Sequence, residues 1–479
     1  MTALNPSRRR AVLAVVALVN ALTFLDLAKL NVALPSIEAT MGASRSHLTF
    51  LVAGFMLAMA VALVPAGRLG DRGLRRNLLL FALALFLVGS LGAAVAPSPE
   101  WLVIARMVQG AAAGIQVPQG FGFVQTLYEG AARGRVLALL GVVFGLSTAA
   151  GPTTGGVVMA LASGSEPWRA VFWVNVPVAA IILVLAVLIL PREPSAPRWV
   201  DLDLVGVGLF TVLVVTFLWP FAITTGRDDD PARWWLLGAF ALAIVPFVAW
   251  EQHHRSRGGT PLVDPRFFRI RSFRFAIVVS TAFFAAMPAM FLLVTLYLQN
   301  GLRLRPLQAG VVTLGFALAS ALTSALVRRW VVSHGLRMMV GGVLAYLGGL
   351  GLLVLAAGSA TAAPGLMAAA LTAAGVGGGL TIVSNQSVLL SGVPRDAGGL
   401  AASVSQLAQR VGGAVGVAVA LSVFFAVIGS GPREEAALSR AGFEWAIAAV
   451  ALLLVLCLTV AAVDMAFVRR RSGDGDPLR

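Results

Sequence analysis

Long runs of apolar residues, each about the length that crosses a bilayer, alternate along this chain with short polar breaks. The runs predict helices at about 11–34, 47–66, 77–96, 101–125, 135–161, 169–190 and 202–222. They continue at about 233–250, 275–298, 307–328, 337–357, 361–390, 399–428 and 443–468. The reading is an all-α polytopic membrane protein of about fourteen transmembrane helices. The first run follows Arg8, Arg9 and Arg10 and superficially resembles a signal peptide. It is too long for one, and Asp26 and Lys29 interrupt it, so it reads as a retained first helix.

Composition sharpens this picture. Of 479 residues, 58% are hydrophobic and 12% charged, against about 25% charged in a typical soluble protein. The mean hydropathy is +0.89. A net charge of +15 invites a nucleic-acid reading, but the cations sit in short clusters between apolar runs. No nucleic-acid partner is therefore expected. Of the 36 basic residues, 25 fall on the side of the N-terminus, 8 on the opposite side and 3 inside spans. That bias predicts both termini in the cytoplasm; the expected site is the bacterial plasma membrane. The stretch 251–274 is the most basic link and reads as a topology anchor at anionic headgroups.

Candidate chemistry for catalysis is missing. Cys457 is the single cysteine, so no disulfide framework forms. The four histidines (His47, His253, His254 and His334) have no metal-ligand spacing. No cofactor, metal or enzymatic activity is expected. A channel would want rings of repeated polar residues, which the helices do not show.

Three motifs remain. Gly67-Arg-Leu-Gly-Asp71-Arg72-Gly73-Leu-Arg75-Arg76 lies between the second and third helices. Its glycines permit a tight turn, and its charges can latch one helix bundle to another. Arg106-Met-Val-Gln109-Gly110 puts an arginine inside the fourth helix, where a charge is costly and normally functional, unless it snorkels to the interface. The third runs from Gly145 through Gly151-Pro152-Thr-Thr-Gly155-Gly156 in the fifth helix, where spaced glycines make a packing groove and proline bends the span. A faint repeat, Gly73-Leu-Arg75 against Gly335-Leu-Arg337, fits two related six-helix halves with a two-helix insert.

In this order and spacing the motifs resemble the major facilitator superfamily, the third resembling the motif of its drug:proton antiporters. Leu25-Asp26-Leu-Ala-Lys29-Leu-Asn31-Val-Ala-Leu34-Pro35 looks like the first-helix motif of the fourteen-helix drug:proton antiporter group. Matching stretches recur at Trp168–Pro177, Asp203–Gly206, Leu296–Gln299 and Gly412–Gly416. The resemblance implies the major facilitator fold. The expected division is a cytoplasmic N-terminus at 1–10, a six-helix bundle at 11–190 and a linker with two inserted helices at 191–250. A basic loop at 251–274, a second bundle at 275–468 and a cytoplasmic tail at 469–479 follow. It also implies proton-coupled export of small amphipathic molecules by alternating access, with Asp26 in proton coupling and Arg106 as a modulator.

The deep charges refine that expectation. Asp26 is the one acid deep in a predicted span; Lys29, Arg106 and Arg410 are the deep bases. Lys29 is also the only lysine in the chain, at a position where the family motif usually has an uncharged residue. Asp26 and Lys29 are three apart and share a helix face. They form either a titrating switch, in which protonation of Asp26 releases Lys29 or Arg106, or a fixed structural pair. Asn31, Gln109, Asn385, Gln406 and Arg410 are the candidate cavity residues, though Asn385 and Gln406 are equally suited to a helix–helix hydrogen bond and Arg410 to snorkelling at the interface. The deep charges lean positive, which favours neutral, zwitterionic or anionic substrates. Expected partners are a small-molecule substrate, protons and the lipid bilayer, with the chain a monomer. Uptake or facilitative transport, or a non-transporting sensor, stay open as alternatives.

Overall fold

The computed structural model describes residues 5–192, 203–223, 230–258, 262, 268–327, 330–359, 363–391, 393, 398–428 and 435–471. Within them the regular structure is helical, with no strand. The helices are α1 (Pro6–Met41), α2 (Arg45–Leu69), α3 (Arg75–Ala94), α4 (Pro99–Leu127) and α5 (Gly130–Leu161). Then come α6 (Arg169–Trp173), α7 (Asn175–Ile189), α8 (Leu204–Ala222) and α9 (Trp235–Ser256). The last six are α10 (Arg271–Leu296), α11 (Pro306–Val327), α12 (Val331–Ala357), α13 (Ala363–Ser391), α14 (Gly398–Ile428) and α15 (Glu435–Arg471).

Each predicted apolar run lies over one of these helices, α6 and α7 sharing one run. Among the described residues, eleven helices are long and apolar enough to cross a membrane, or twelve if the bent α5 counts as one. The α4 helix is not among them, because Arg106, Gln109, Gln116 and Gln119 dilute its apolar face. Observed helices also outrun the predicted ones. The α1 helix begins five residues early, through Arg8–Arg10, and continues past Pro35 to Met41. The sequence reading stops at the arginine cluster on one side and at Pro35 on the other, whereas a helical backbone keeps its own hydrogen bonds beyond the hydrocarbon.

Two cores organise the chain. One joins Val12, Val16, Phe86, Phe123 and Ile182, from α1, α3, α4 and α7. The other joins Phe283, Phe316, Tyr346, Leu371 and Phe443, from α10 to α13 and α15. The two sets of helices meet along two seams, α5 against α11 and α2 against α14. The α8–α9 hairpin rides outside, α8 against α2 and α14. Asp203 ties this hairpin together: its Oδ1 accepts the Gly206 N–H at 2.8 Å, capping α8, and the Trp250 Nε1–H of α9 at 2.7 Å.

Helix direction defines two ends of the molecule. The basic end carries the start of α1, the α2–α3 turn and the start of α14. The far end carries the α1–α2 turn and the close of α14.

Candidate functional site

The α1 helix has two faces with different chemistry. At 3.6 residues per turn, Phe24, Leu27, Ala28, Asn31, Leu34, Pro35 and Glu38 form one stripe. That stripe lines a cavity of about 430 Å³ between the two sets of helices. Asp26 and Lys29 point the other way, into the N-terminal set.

There Asp26 is buried and its two oxygens are divided between cations and an amide. Oδ2 accepts from Arg106 Nη1 at 2.6 Å. Oδ1 accepts from Asn175 Nδ2 at 2.5 Å and lies 3.6 Å from Lys29 Nζ. Lys29 in turn donates to Asn175 Oδ1. Arg106 also donates to Gln109 Oε1 at 2.9 Å and, through Nε, to the Leu51 carbonyl at 3.3 Å. Its guanidinium carbon stands 4.4 Å from the centroid of the Phe55 ring. Arg106 is fully buried, so it does not snorkel to the interface. One carboxylate thus faces two cations at a depth where water cannot screen them. Adding a proton to Asp26 removes the charge that holds both, leaving two buried cations to repel each other.

Glycines set the distance of α5 from this cluster. A Cβ at Gly151 would stand 2.3 Å from Ala28 Cβ and 3.0 Å from the Lys29 nitrogen. At Gly155 it would stand 2.8 Å from the Lys29 carbonyl oxygen. Gly156 is buried beside them. On its opposite flank α5 touches the other half. Gly145 faces Ser320, and Thr153 Oγ1 donates to the Gly310 carbonyl at 2.8 Å. The helix bends by 45° between Leu139–Thr148 and Ala150–Leu161, and Pro152 lines the cavity. The glycine–proline stretch is therefore clamped between the Asp26 helix and α11.

The cavity reaches exposed residues, Pro35 and Glu38, at the far end. Its floor is an aromatic belt. The Phe24 and Phe144 rings meet edge-on with centroids 4.4 Å apart, and Phe144 and Phe284 are 5.6 Å apart. Beneath the belt lies a separate cavity of about 40 Å³, lined by Asn20, Asn385, Gln386, Gln406 and Gln409. Arg410 and Asn31 line the large cavity; Asn385 and Gln406 line the small one. Gln109 lines neither, which corrects the expectation that placed it in the cavity. It donates to Ser90 Oγ at 2.8 Å and accepts from Arg106, on the bundle side of α4.

At the basic end the halves are shut. A Cβ on Gly67 would stand 2.5 Å from Ser403 Oγ and 3.5 Å from Ser403 Cβ, so α2 and α14 touch there. Gly73 takes φ +90°, a left-handed turn that other residues resist, and reverses the chain between α2 and α3. Arg75 Nη1 donates to the Gly122 carbonyl at 3.3 Å. Arg76 donates to the carbonyls of Val187 at 3.0 Å and Leu190 at 3.2 Å, capping α7. Both arginines thus contact their own half. The side chains of Asp71 and Arg72 lie outside the described residues.

The Gly67–Ser403 contact makes a test of closure. The 3.5 Å separation is within the Cβ–Cβ range of a disulfide, about 3.5–4.5 Å. Gly67→Cys with Ser403→Cys, in a Cys457→Ser background, should crosslink spontaneously and stop transport. Reduction should restore it, as read by gel mobility and flux. Free transport by the fully crosslinked protein would show that this contact need not open.

Comparison with known proteins fixes the ancestry. Residues 16–417 match the Major Facilitator Superfamily. The chain belongs to the major facilitator superfamily. Among curated members, the probable actinorhodin transporter of Streptomyces coelicolor is 31% identical over 88% of this chain and 74% of its own. Multidrug resistance protein Stp of Mycobacterium tuberculosis is 30% identical over 84% of this chain and 73% of its own. The tetracenomycin C resistance and export protein of Streptomyces glaucescens is 28% identical over 87% and 79%. Among solved structures, the human organic anion transporter MFSD10 superposes with a TM-score of 0.64 at 17% identity, covering 95% of this chain and all of that one. The proton:xylose symporter XylE gives 0.63 at 15% identity, covering 96% and 97%. At these identities the structural likeness speaks for the fold alone. Membership makes this a multi-pass membrane protein of a transporter superfamily rather than an enzyme. The relatives place it among the antibiotic and multidrug efflux branches, the drug:proton antiporter group.

Asn175 and the Phe24–Phe144–Phe284 belt were not among the residues the sequence singled out for the site. Asn175 sits inside the stretch Trp168–Pro177, so its only signal was a family match. A phenylalanine at helical spacing carries no signal distinct from core.

Proposed function

We propose that the chain is a proton-coupled exporter of small amphipathic molecules such as antibiotics or metabolites, working by alternating access. The observation that carries this reading is a buried Asp26 held by Arg106, Lys29 and Asn175 on the helix whose other face walls the cavity. The tetracenomycin C resistance and export protein, aligned over most of its length, supports the direction, and the multidrug resistance protein Stp fits it. A volume of about 430 Å³ suits a small organic substrate, within the usual pocket range of about 300–1,000 Å³.

The α1–α7 and α10–α15 sets are the two moving halves, joined by the inserted α8 and α9, which makes about fourteen spans. Both termini lie in the cytoplasm, so the basic end faces inward and the open cavity faces outward. With Asp26 ionised, Arg106 and Lys29 hold α1 against α4 and α7. A proton arriving from outside releases that clamp. The glycine-lined contact of α5 with α1 and α11 passes the change to the opposite half, and Gly67 parts from Ser403. Substrate and proton do not compete for one group, because they meet opposite faces of α1. They are coupled through the position of the helix, a bistable element biased from both sides.

The decisive measurement uses purified protein in liposomes with an imposed pH gradient. Substrate should move against its own gradient while protons move down theirs, at a fixed ratio. A panel of lipophilic antibiotics from which none is moved, with or without the gradient, would sink the reading.

A further inference from the structure

We propose that Arg410 recognises an anion, and that the favoured substrates carry a carboxylate or ionised phenol on an aromatic body. The inference deepens the exporter reading and rests on it.

Arg410 stands on α14 in the wall of the large cavity, yet it is only 5% exposed. Its Nε and Nη2 are shielded and have no hydrogen-bond partner in the protein. Among the described residues no carboxylate lies within salt-bridge distance of it. Among the described residues its aromatic companion is the Phe24 ring, whose centroid is 5.6 Å from the guanidinium carbon. An unpaired guanidinium at membrane depth is costly and is retained for a purpose. The contrast inside the same molecule is direct: Lys29 and Arg106 share Asp26, while Arg410 has no acid among the described residues.

Glu38 is the acid that lines the same cavity, but it is exposed and fourteen residues beyond Phe24 on α1. That separation is about 21 Å along the helix, too far for an ion pair with a group seated at Phe24. The missing counter-ion must then arrive and leave with the cargo. An arginine stays charged at every working pH and offers a planar fork that a carboxylate fills with two parallel hydrogen bonds. The walls around it, Phe24, Met287, Phe291 and Leu292, are apolar and suit the body of such a molecule. Gln409, next to it, supplies amide donors and acceptors for a second polar substituent. An inside-negative membrane potential expels an anion, so the cargo's own charge adds to the driving force.

A charge series on one ring system tests this. Anthracene-9-carboxylate, anthracene-9-carboxamide and 9-(aminomethyl)anthracene are titrated by fluorescence into the purified full-length protein. The carboxylate should bind at least about tenfold more tightly than the carboxamide, with the ammonium weakest. Arg410→Gln should remove the preference, bringing the carboxylate down to the carboxamide's affinity. Arg410→Lys should keep a reduced preference, since lysine retains the charge without the fork. Wild-type protein that binds the carboxylate no better than the carboxamide, or not at all, overturns the proposal. So does an Arg410→Gln protein that keeps the preference. If that variant does not fold, the ranking of the three ligands by wild type decides. Flux in liposomes separates the two readings. Movement of the carboxamide with no preference for the carboxylate defeats the anion assignment alone. Preserved binding preference without movement of any of the three defeats the exporter reading alone.

Discussion

Asp26→Asn is expected to abolish uphill export while leaving downhill exchange in place. A pH difference of one unit stores about 1.4 kcal/mol per proton, enough to hold a substrate gradient of about tenfold. In liposomes with that imposed difference the wild type should build such a gradient, and the variant should only equilibrate. The variant also leaves Arg106 and Lys29 facing each other without an anion. Breaking a buried pair by removing one partner typically costs about 3–5 kcal/mol, so its melting temperature should fall. Asp26→Asn with Lys29→Met removes one of the stranded cations. It should recover much of the stability and none of the uphill transport. If the double variant still pumps, the pair is a fixed structural element and the proton travels elsewhere. Lys29→Met alone keeps the 2.6 Å Arg106–Asp26 pair. It should shift the pH profile of transport rather than erase it.

Gly151→Val should be nearly as damaging, by a different route. A Cβ at Gly151 meets Ala28 Cβ at 2.3 Å and the backbone on both sides of the Ala28–Lys29 peptide at 3.0 Å. Overpacking a well-fitted interior typically costs about 1–3 kcal/mol, and backbone cannot swing aside as a flexible side chain can. The α5 helix must back away from α1, which loosens its seat on Asp26's helix and disturbs its contact with Gly310 of α11. Transport should fall to background in protein that still inserts and purifies, with a lowered melting temperature. Gly208→Ala is the control: no atom beyond its own surroundings lies within 4 Å of a Cβ there, so flux should not change and stability should not fall. Normal flux by Gly151→Val would mean that the α1–α5 contact is not part of the moving machinery.

Much of the fold was legible because a bilayer imposes one rule, that a spanning segment be apolar and about twenty residues long. The ends of helices were not. Arg8–Arg10 and the turn after Pro35 are helical yet lie where composition no longer reports the backbone. Asp26, Lys29 and Arg106 were legible as a group because charges are so scarce in the spans that each one stands out. Their shared partner was not: Asn175 lies 146 residues from Lys29, and an asparagine in a span is unremarkable until its neighbours are known. Gln109 was misplaced although its destination could have been read, since a residue three beyond Arg106 shares its face. For Arg410 the depth was legible, but only the structure shows that no acid among the described residues answers its charge.

The two-faced first helix has a consequence for how such a pump changes over generations. Residues on the cavity stripe, Leu27, Asn31 and Leu34 among them, can be exchanged without touching the carboxylate on the other face of the helix or the amide that bridges it. In the proposed scheme, cargo preference and fuel use are written on separate columns of one rod. Under that scheme a lineage can drift from one cargo to another by single substitutions on the first column while the engine on the second is inherited intact.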